Sequence, residues 1–386
     1  MSAGLSSLVL RQQPARDVAK VLLLAIVMHA RAAGSRGESV SAGTAAAVTS
    51  KNMSIPHLRY LTYYTVGPMN LTDWWGTPDI LPGPTGAEPG VNLAIGFGKP
   101  SPAHPQRGRI GLSSFANIER VWSRHRVPTF YTPDGWFQCH NATHPGGLLD
   151  GWQSALMRQA AALRPLLAEG KVAGIFYGDE LGCCGVPFWA VDAGLSFFRG
   201  ALGEGHGIVH HVNACQMTLG CPPPPYRVCH NCPPGCGNSS SVWQPRYWPH
   251  IPAALDFVSV DVYCWPDVGA CEVELAQGFY NEYVFPKLSS LQKVWVVPGL
   301  FAAIHPAKTR EESIAVSVND SSQLLKMQAY ANWTRSDNRI AGWMPYHYYN
   351  RIWSPTPASG SWGAQTMPQT LAFIRKLAPP PLARSG

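Results

Sequence analysis

"KVAGIFYGDELGCCG", residues 171–185, drives an apolar run into two adjacent carboxylates, Asp179 and Glu180, and then into two adjacent cysteines, Cys183 and Cys184. The run Val172–Gly178 has the length and composition of a strand buried on both faces. Such a strand tolerates little polarity along its length, so acids at its C-terminal end need a reason. In parallel α/β sheets that end faces the loops that carry chemistry.

The same pattern recurs on both sides of this stretch. Strands are expected at Leu58–Val66, Val91–Gly98, Pro128–Tyr131, Val172–Gly178, Ile208–Ala214, Phe257–Tyr263, Lys293–Val297 and Ile340–Tyr346. Between most of them lie segments with apolar residues at i, i+3 and i+4. "LLDGWQSALMRQAAALRPLLAEG" (148–170) and "SSQLLKMQAYANWTR" (321–335) are the clearest, and "MPQTLAFIRKLA" (367–378) closes the series. Eight strands alternating with helices predict an α/β chain folded as a (β/α)8 TIM barrel over residues 56–378. Two connections break the rhythm. Residues 67–90 are rich in Pro and Gly, and residues 215–250 form a Cys/Pro-rich insertion after strand five. An open doubly wound sheet is the alternative, because alternation alone does not close a barrel.

A barrel gathers side chains from the C-terminal ends of its strands. Asp134 follows strand three, Asp179 and Glu180 end strand four, and Asn213 ends strand five. Asp261, Tyr263 and Trp265 fall at or after the end of strand six, and Tyr346 and His347 at the end of strand eight. Side chains alternate along a strand. Val258, Val260 and Val262 suit the helix-facing side of strand six, which sends Ser259, Asp261 and Tyr263 to the barrel axis. On strand four, Gly174, Phe176, Gly178 and Glu180 share a face, so strict alternation turns Glu180 inward and leaves Asp179 beside it on the rim. His210 and His211 are adjacent, so at most one of them faces the axis.

Two inward carboxylates from different strands suit cleavage of a glycosidic bond. One must hold a proton for the leaving oxygen, and the other must be charged, to attack or to activate water. An apolar, aromatic wall raises the pKa of the proton donor by desolvation. The chain has 14 Trp and 14 Tyr, and Trp136, Trp189, Trp265, Trp343 and Tyr346 fall near the expected rim. Aromatic faces stack on sugar rings while polar tips meet hydroxyls. Candidate catalytic residues are therefore Glu180, Asp261 and Asp179. Candidate sugar contacts are Tyr263, Trp265, Asn213, Asp134, Tyr346 and His347. Each has a plainer reading: Asp261 as a helix cap, Asp134 before Gly135 as a turn, His347 and the tryptophans as packing.

"GIFYGDEL" (174–181) resembles the strand-four end of the TIM-barrel glycoside hydrolase superfamily. In its large retaining clan that strand ends in Asn-Glu, which by position implies Glu180 as acid/base and Asp179 as a support to a sugar hydroxyl. The clan's strand-seven nucleophile Glu has no counterpart, since "KVWVVPGLFA" (293–302) carries Pro298 and Gly299 there. Chitinase-like barrels pair a strand-four D-x-E with an aspartate and tyrosine on strand six. Asp261 and Tyr263 resemble that pairing, whereas Asp179 and Glu180 are adjacent. The resemblance implies a glycosidase acting on an oligo- or polysaccharide or glycoconjugate. A catalytically silent, lectin-like barrel is the alternative that the missing Glu favours.

The compartment is written at the N-terminus. Arg11, Arg16 and Lys20 precede the short apolar run Val21–Met28, and Ala30 and Ala32 supply a small-residue cleavage pattern. That is the layout of a signal peptide over residues 1–33, followed by a flexible linker at 34–55; an uncleaved anchor is the alternative. Residues 379–386 form a Pro-rich tail. Asn52, Asn70, Asn141, Asn238, Asn319 and Asn332 each head an N-x-[ST] triplet, which fits a secreted or lumenal glycoprotein. The ten cysteines are even in number and all follow expected strand ends, none in an expected helix, as disulfides pinning loops around a site would require. "CHNCPPGC" (229–236) has C-x2-C spacing but lacks a clean second ligand pair, so disulfides are preferred to zinc. No metal or other cofactor is expected. The formal charge of +7 falls to near +4 without the leader, and no dense basic patch marks a nucleic-acid partner.

Overall fold

The computed structural model describes residues 55–62, 97–98, 109–110, 115–138, 146–179, 181–182, 185–203, 209–213, 248–262, 271–304, 320–346, 351–355, 358–363 and 367–377. All of them belong to one compact unit, Asn52–Gly386. The expected leader, linker and Pro-rich tail therefore lie outside the described residues, apart from Ile55 at the linker's end. So does the Cys/Pro-rich insertion, except for residues 248–250.

In chain order the strands and helices are β1 (Tyr60–Leu61), β2 (Phe97–Gly98), β3 (Arg109–Ile110), α1 (Phe115–His125), β4 (Thr129–Tyr131), β5 (Phe137–Gln138), β6 (Gly147–Leu148), α2 (Trp152–Ala168), β7 (Val172–Asp179), α3 (Phe188–Leu202), β8 (Val209–Asn213), β9 (Phe257–Asp261), α4 (Cys271–Phe279), β10 (Lys293–Val297), β11 (Phe301–Ile304), α5 (Asp320–Ser336), β12 (Ile340–Trp343), β13 (Arg351–Pro355), β14 (Ala358–Gly363) and α6 (Pro368–Leu377). Helix α4 runs directly into a π-helical turn, Tyr280–Val284.

Seven of the strands form one sheet in the order β1-β12-β10-β9-β8-β7-β4, and every pairing in it is parallel. The first strand pairs with the last parallel one, Tyr60 opposite Gly342 and Leu61 opposite Trp343. A doubly wound sheet buries its early strands in the middle, so this order sets that alternative aside. The sheet also curls until distant strands touch. The Tyr60 ring of β1 lies 5.3 Å from Phe257 of β9, and Phe130 of β4 lies 5.3 Å from Trp295 of β10. The architecture is a curled parallel sheet wrapped by helices, a TIM-like α/β fold.

The two sheet faces are packed differently. Val258, Val260, Val294 and Val296 are buried among helix residues such as Phe279, Val284, Met327 and Tyr330. The axis is filled by rings: Tyr60, Phe130, Phe176, His211, Phe257 and Trp295. Gly342 makes room for Trp295, since a Cβ there would stand 2.5 Å from Trp295 Cδ1. This matches the expected alternation on β9 and on the first half of β7.

Three expectations are corrected. The described part of expected strand two, Phe97–Gly98, pairs antiparallel with Arg109–Ile110 instead of joining the parallel sheet. Residues 91–96 lie outside the described residues. Strand eight is regular only to Trp343; Tyr346 returns to pair with Gly299 after a short gap. Cys271 begins α4, so one cysteine does sit in a helix. The other nine cysteines lie outside the described residues.

Candidate active site

The rim is built by the ends of β7, β8, β9 and β10. Asp179 stands opposite Asn213, Asn213 opposite Ser259, and Asp261 opposite Val297, one side-chain row beyond Ser259. Neighbouring strands lie ~4.8 Å apart, which puts β7 and β9 about 10 Å from one another. Carboxylates reaching inward from those two strands come within the range that glycosidic chemistry uses. Asp261 is 7% exposed at the end of β9, and Ser259 below it is fully buried. Asp179 is half-buried.

The end of β7 departs from strict alternation. Phe176 opposes His211 and Asp179 opposes Asn213, so three residues of β7 span two of β8. The extra residue is taken up near Gly178, whose φ of +151° favours glycine. A Cβ at Gly178 would also lie 2.6 Å from Leu181 Cδ2. The extra residue shifts the phase of β7 at its end, where Asp179 comes into register with Asn213. Glu180 is outside the described residues, as are Tyr263, Trp265 and His347.

Beneath the acids lies the aromatic floor. His211 is fully buried; its ring stacks on Trp295 at 4.5 Å and lies 5.0 Å from Phe176. Neither of its ring nitrogens meets a hydrogen-bond partner among the described residues. Burial lowers its pKa to about 3, so the ring is neutral at physiological pH. His210, on the opposite face, shares a 2.7 Å hydrogen bond between its Nδ1 and the Tyr177 hydroxyl. Its pKa is also lowered to about 3, by burial first and by the Arg199 charge second. One histidine of the pair faces the axis, as expected, but it lies among the packed rings of the floor.

Asp134 is placed by a residue that the sequence did not single out. The backbone N–H of Asp134 donates to Gln159 Oε1 at 2.8 Å, and Gln159 Nε2 donates to the Asp134 carbonyl at 2.7 Å. The Tyr131 hydroxyl donates to the same Gln159 Oε1 at 2.6 Å. The following Gly135 has φ +67°. These contacts fix the backbone at Asp134, with Gln159 as its clamp. The signal was present: Gln159 interrupts the apolar stripe Leu156, Ala160, Leu163 of α2.

The expected rim aromatics divide. Trp136 is fully buried against Gly194 and Tyr177, and Trp343 is fully buried with its Nε1–H donating to Thr334 Oγ1 at 2.8 Å. Both are core residues, which corrects their placement on the rim. Trp189 is 62% exposed near the start of α3. Tyr346 is half-buried at the rim. Its N–H donates to the Pro298 carbonyl at 2.9 Å, and its carbonyl accepts from Leu300 N–H.

Asn332 is exposed on α5 while Thr334 of its triplet is buried, donating to the Tyr330 carbonyl at 2.9 Å. Among the described residues no cluster of His, Cys, Asp and Glu is arranged to hold a metal ion, and no helix is long and apolar enough to cross a membrane.

No protein-family model and no curated protein sequence matches the chain. Among solved structures it is similar to a GH113 β-mannanase from Alicyclobacillus acidocaldarius, at 12% identity over 84% of this chain and 97% of that one, TM-score 0.45. It is also similar to a β-D-glucuronidase of Dictyoglomus thermophilum, at 8% identity over 83% of this chain and 50% of that one, TM-score 0.43. A third is the spore cortex-lytic enzyme SleL of Bacillus megaterium QM B1551, at 12% identity over 84% of this chain and 70% of that one, TM-score 0.35.

Proposed function

We propose that this chain is a secreted glycoside hydrolase-like protein that cleaves a glycosidic bond between carboxylates carried on β7 and β9. The observation that carries the proposal is the pair of strand ends. Asp179, the last residue of β7, stands in register with Asn213, and Asp261, nearly buried, ends β9 two strands away. A core strand ends in an acid at little benefit to packing, and two such ends on one rim have a ready chemical use.

Glu180, the residue after Asp179, is assigned as the proton donor. Its proton passes to the glycosidic oxygen as the C–O bond to the anomeric carbon breaks. Asp261, charged, serves the anomeric carbon, where the hydroxyl of a water finally bonds. The water's remaining proton returns to the carboxylates, so the protein ends as it began. Asn213 and Tyr346 flank the acids as sugar contacts, joined by Tyr263, Trp265 and His347. The leader and the N-x-[ST] triplets assign the chain to the secretory route.

One observation favours a second reading, a sugar-binding barrel without turnover. β10 offers Val297 opposite Asp261, followed by Pro298 and Gly299, and so lacks the strand-seven carboxylate of the retaining clan. The exported, glycosylated protein screened against a glycan panel separates the two. Turnover by the wild type that falls at least ~100-fold in both Glu180→Gln and Asp261→Asn establishes the enzyme. Glycan binding with no turnover in any form establishes the lectin. Wild-type turnover in Glu180→Gln removes that residue from the mechanism.

A further inference from the structure

The first residue of the π-helical turn that follows α4 reaches past the helix layer. Tyr280 is 1% exposed. Its ring packs between Phe285, at 5.7 Å, and Trp333, at 5.6 Å. From the helix layer its hydroxyl reaches the sheet backbone itself. The hydroxyl accepts from Val260 N–H at 2.9 Å and lies 2.9 Å from the Trp295 carbonyl and 3.1 Å from the Val260 carbonyl.

Trp295 is registered on Ser259, and Val260 on Val296. The Val260 N–H and the Trp295 carbonyl are therefore neighbours across the gap between β9 and β10. The phenol touches both and joins the two strands one residue before Asp261. An aliphatic residue would fill the same pocket without burying a hydroxyl, and it could not tie those strands together. A π turn costs helix geometry and is often kept at functional sites.

We infer that Tyr280 is a positioning residue for Asp261: its hydroxyl fixes the backbone of Val260 from the helix side, and so holds the next side chain at its place over the barrel axis. This rests on the reading of Asp261 as a working carboxylate. Burial, the largest cause, keeps the phenol well above its ordinary pKa, while the Val260 backbone bond pulls the other way and the Asp261 charge adds to the rise. The hydroxyl thus keeps its single proton, which it can donate to the Trp295 or the Val260 carbonyl.

Tyr280→Phe keeps the ring between Phe285 and Trp333 and removes only the hydroxyl. Two measurements on the full-length protein test the inference. On the glycan turned over by the wild type, kcat should fall about tenfold with KM nearly unchanged, and the pH profile should shift. Independently of turnover, the 13C titration of the Asp261 carboxyl should move from its wild-type midpoint. Phe285→Leu, which disturbs the same packing but leaves the hydroxyl contacts, should lower the melting temperature and leave that midpoint in place. If Tyr280→Phe keeps both the wild-type kcat and the wild-type midpoint, Tyr280 only supports the fold and the inference is overturned. Should the wild type cleave nothing on the panel, the proposed enzyme falls, and the carboxyl titration alone still decides whether Tyr280 sets the environment of Asp261.

Discussion

His210 and His211 are consecutive on β8 and sample the two faces of one sheet. His210 looks toward the helices, where Tyr177 meets its Nδ1 and the Asp256 carboxylate accepts its backbone N–H at 2.8 Å. His211 looks toward the axis, where its ring is held by aromatic faces and its nitrogens meet no polar partner among the described residues. At His210 the helix-side layer pairs its polar atoms with nearby partners. Around His211 the axis-side layer is filled by ring faces, and Trp295 Nε1 there also lacks a described partner, as do Trp136 Nε1 and Trp248 Nε1 in the core.

The largest expected effect breaks this comparison by pH. Both histidines titrate near pH 3 in the folded chain, against about 6.5 when unfolded. Between those values the unfolded chain binds more protons, so stability is full above pH ~6.5 and is lost as pH falls toward 3. By pH 4 each histidine should remove roughly 3 kcal/mol. The urea midpoint measured from pH 7 to pH 4 should drop steeply. His211→Phe, which keeps a stacked ring, should remove about half of that drop. An unchanged slope in His211→Phe would mean that the axis opens to admit the charged ring.

Much of this arrangement was legible in the sequence. The valines of strand six announced which face meets the helices, and Asp261 fell on the other side as alternation requires. The acid pair was visible at the end of strand four, but its orientation was not. A bulge adds one residue without changing hydrophobic pattern, and only the register of Phe176 and Asp179 against His211 and Asn213 reveals it. Trp136 and Trp343 were read as rim residues because a tryptophan near a strand end looks the same whether it lines a cleft or plugs a core. Their neighbours decide the matter: Gly194 gives up its Cβ space to Trp136, and Thr334 offers its hydroxyl to Trp343. The roles of Gln159 and Tyr280 are not legible in the sequence, because each acts on backbone 15 or more residues away.

A middle-sized effect sharpens the contrast from the axis side. Gly342 on β12 borders Trp295, and a methyl group there would meet three atoms of the indole within 2.6 Å. Trp295 is itself enclosed by Tyr60, Phe130, His211 and Phe257, so its ring has nowhere to retreat. Gly342→Ala should cost about 1–3 kcal/mol by overpacking, read as a lower urea midpoint at unchanged slope. The displaced indole should also alter the near-UV circular dichroism. A neutral outcome would show that the ring layer yields, and that packing on the axis is looser than on the helix side.

The smallest effect belongs to the helix side. Tyr177→Phe deletes the hydroxyl that meets His210 Nδ1 and leaves the ring to pack against Phe198 and Trp136. A buried nitrogen that loses its partner should cost about 1–2 kcal/mol. The loss should be readable in thermal unfolding. The same nitrogen in His211 has no described partner to lose, so in a His211→Phe background the Tyr177→Phe cost should be nearly unchanged. Coupling above about 0.5 kcal/mol between those two substitutions would show that the faces communicate through β8, and that the division of labour between them is incomplete.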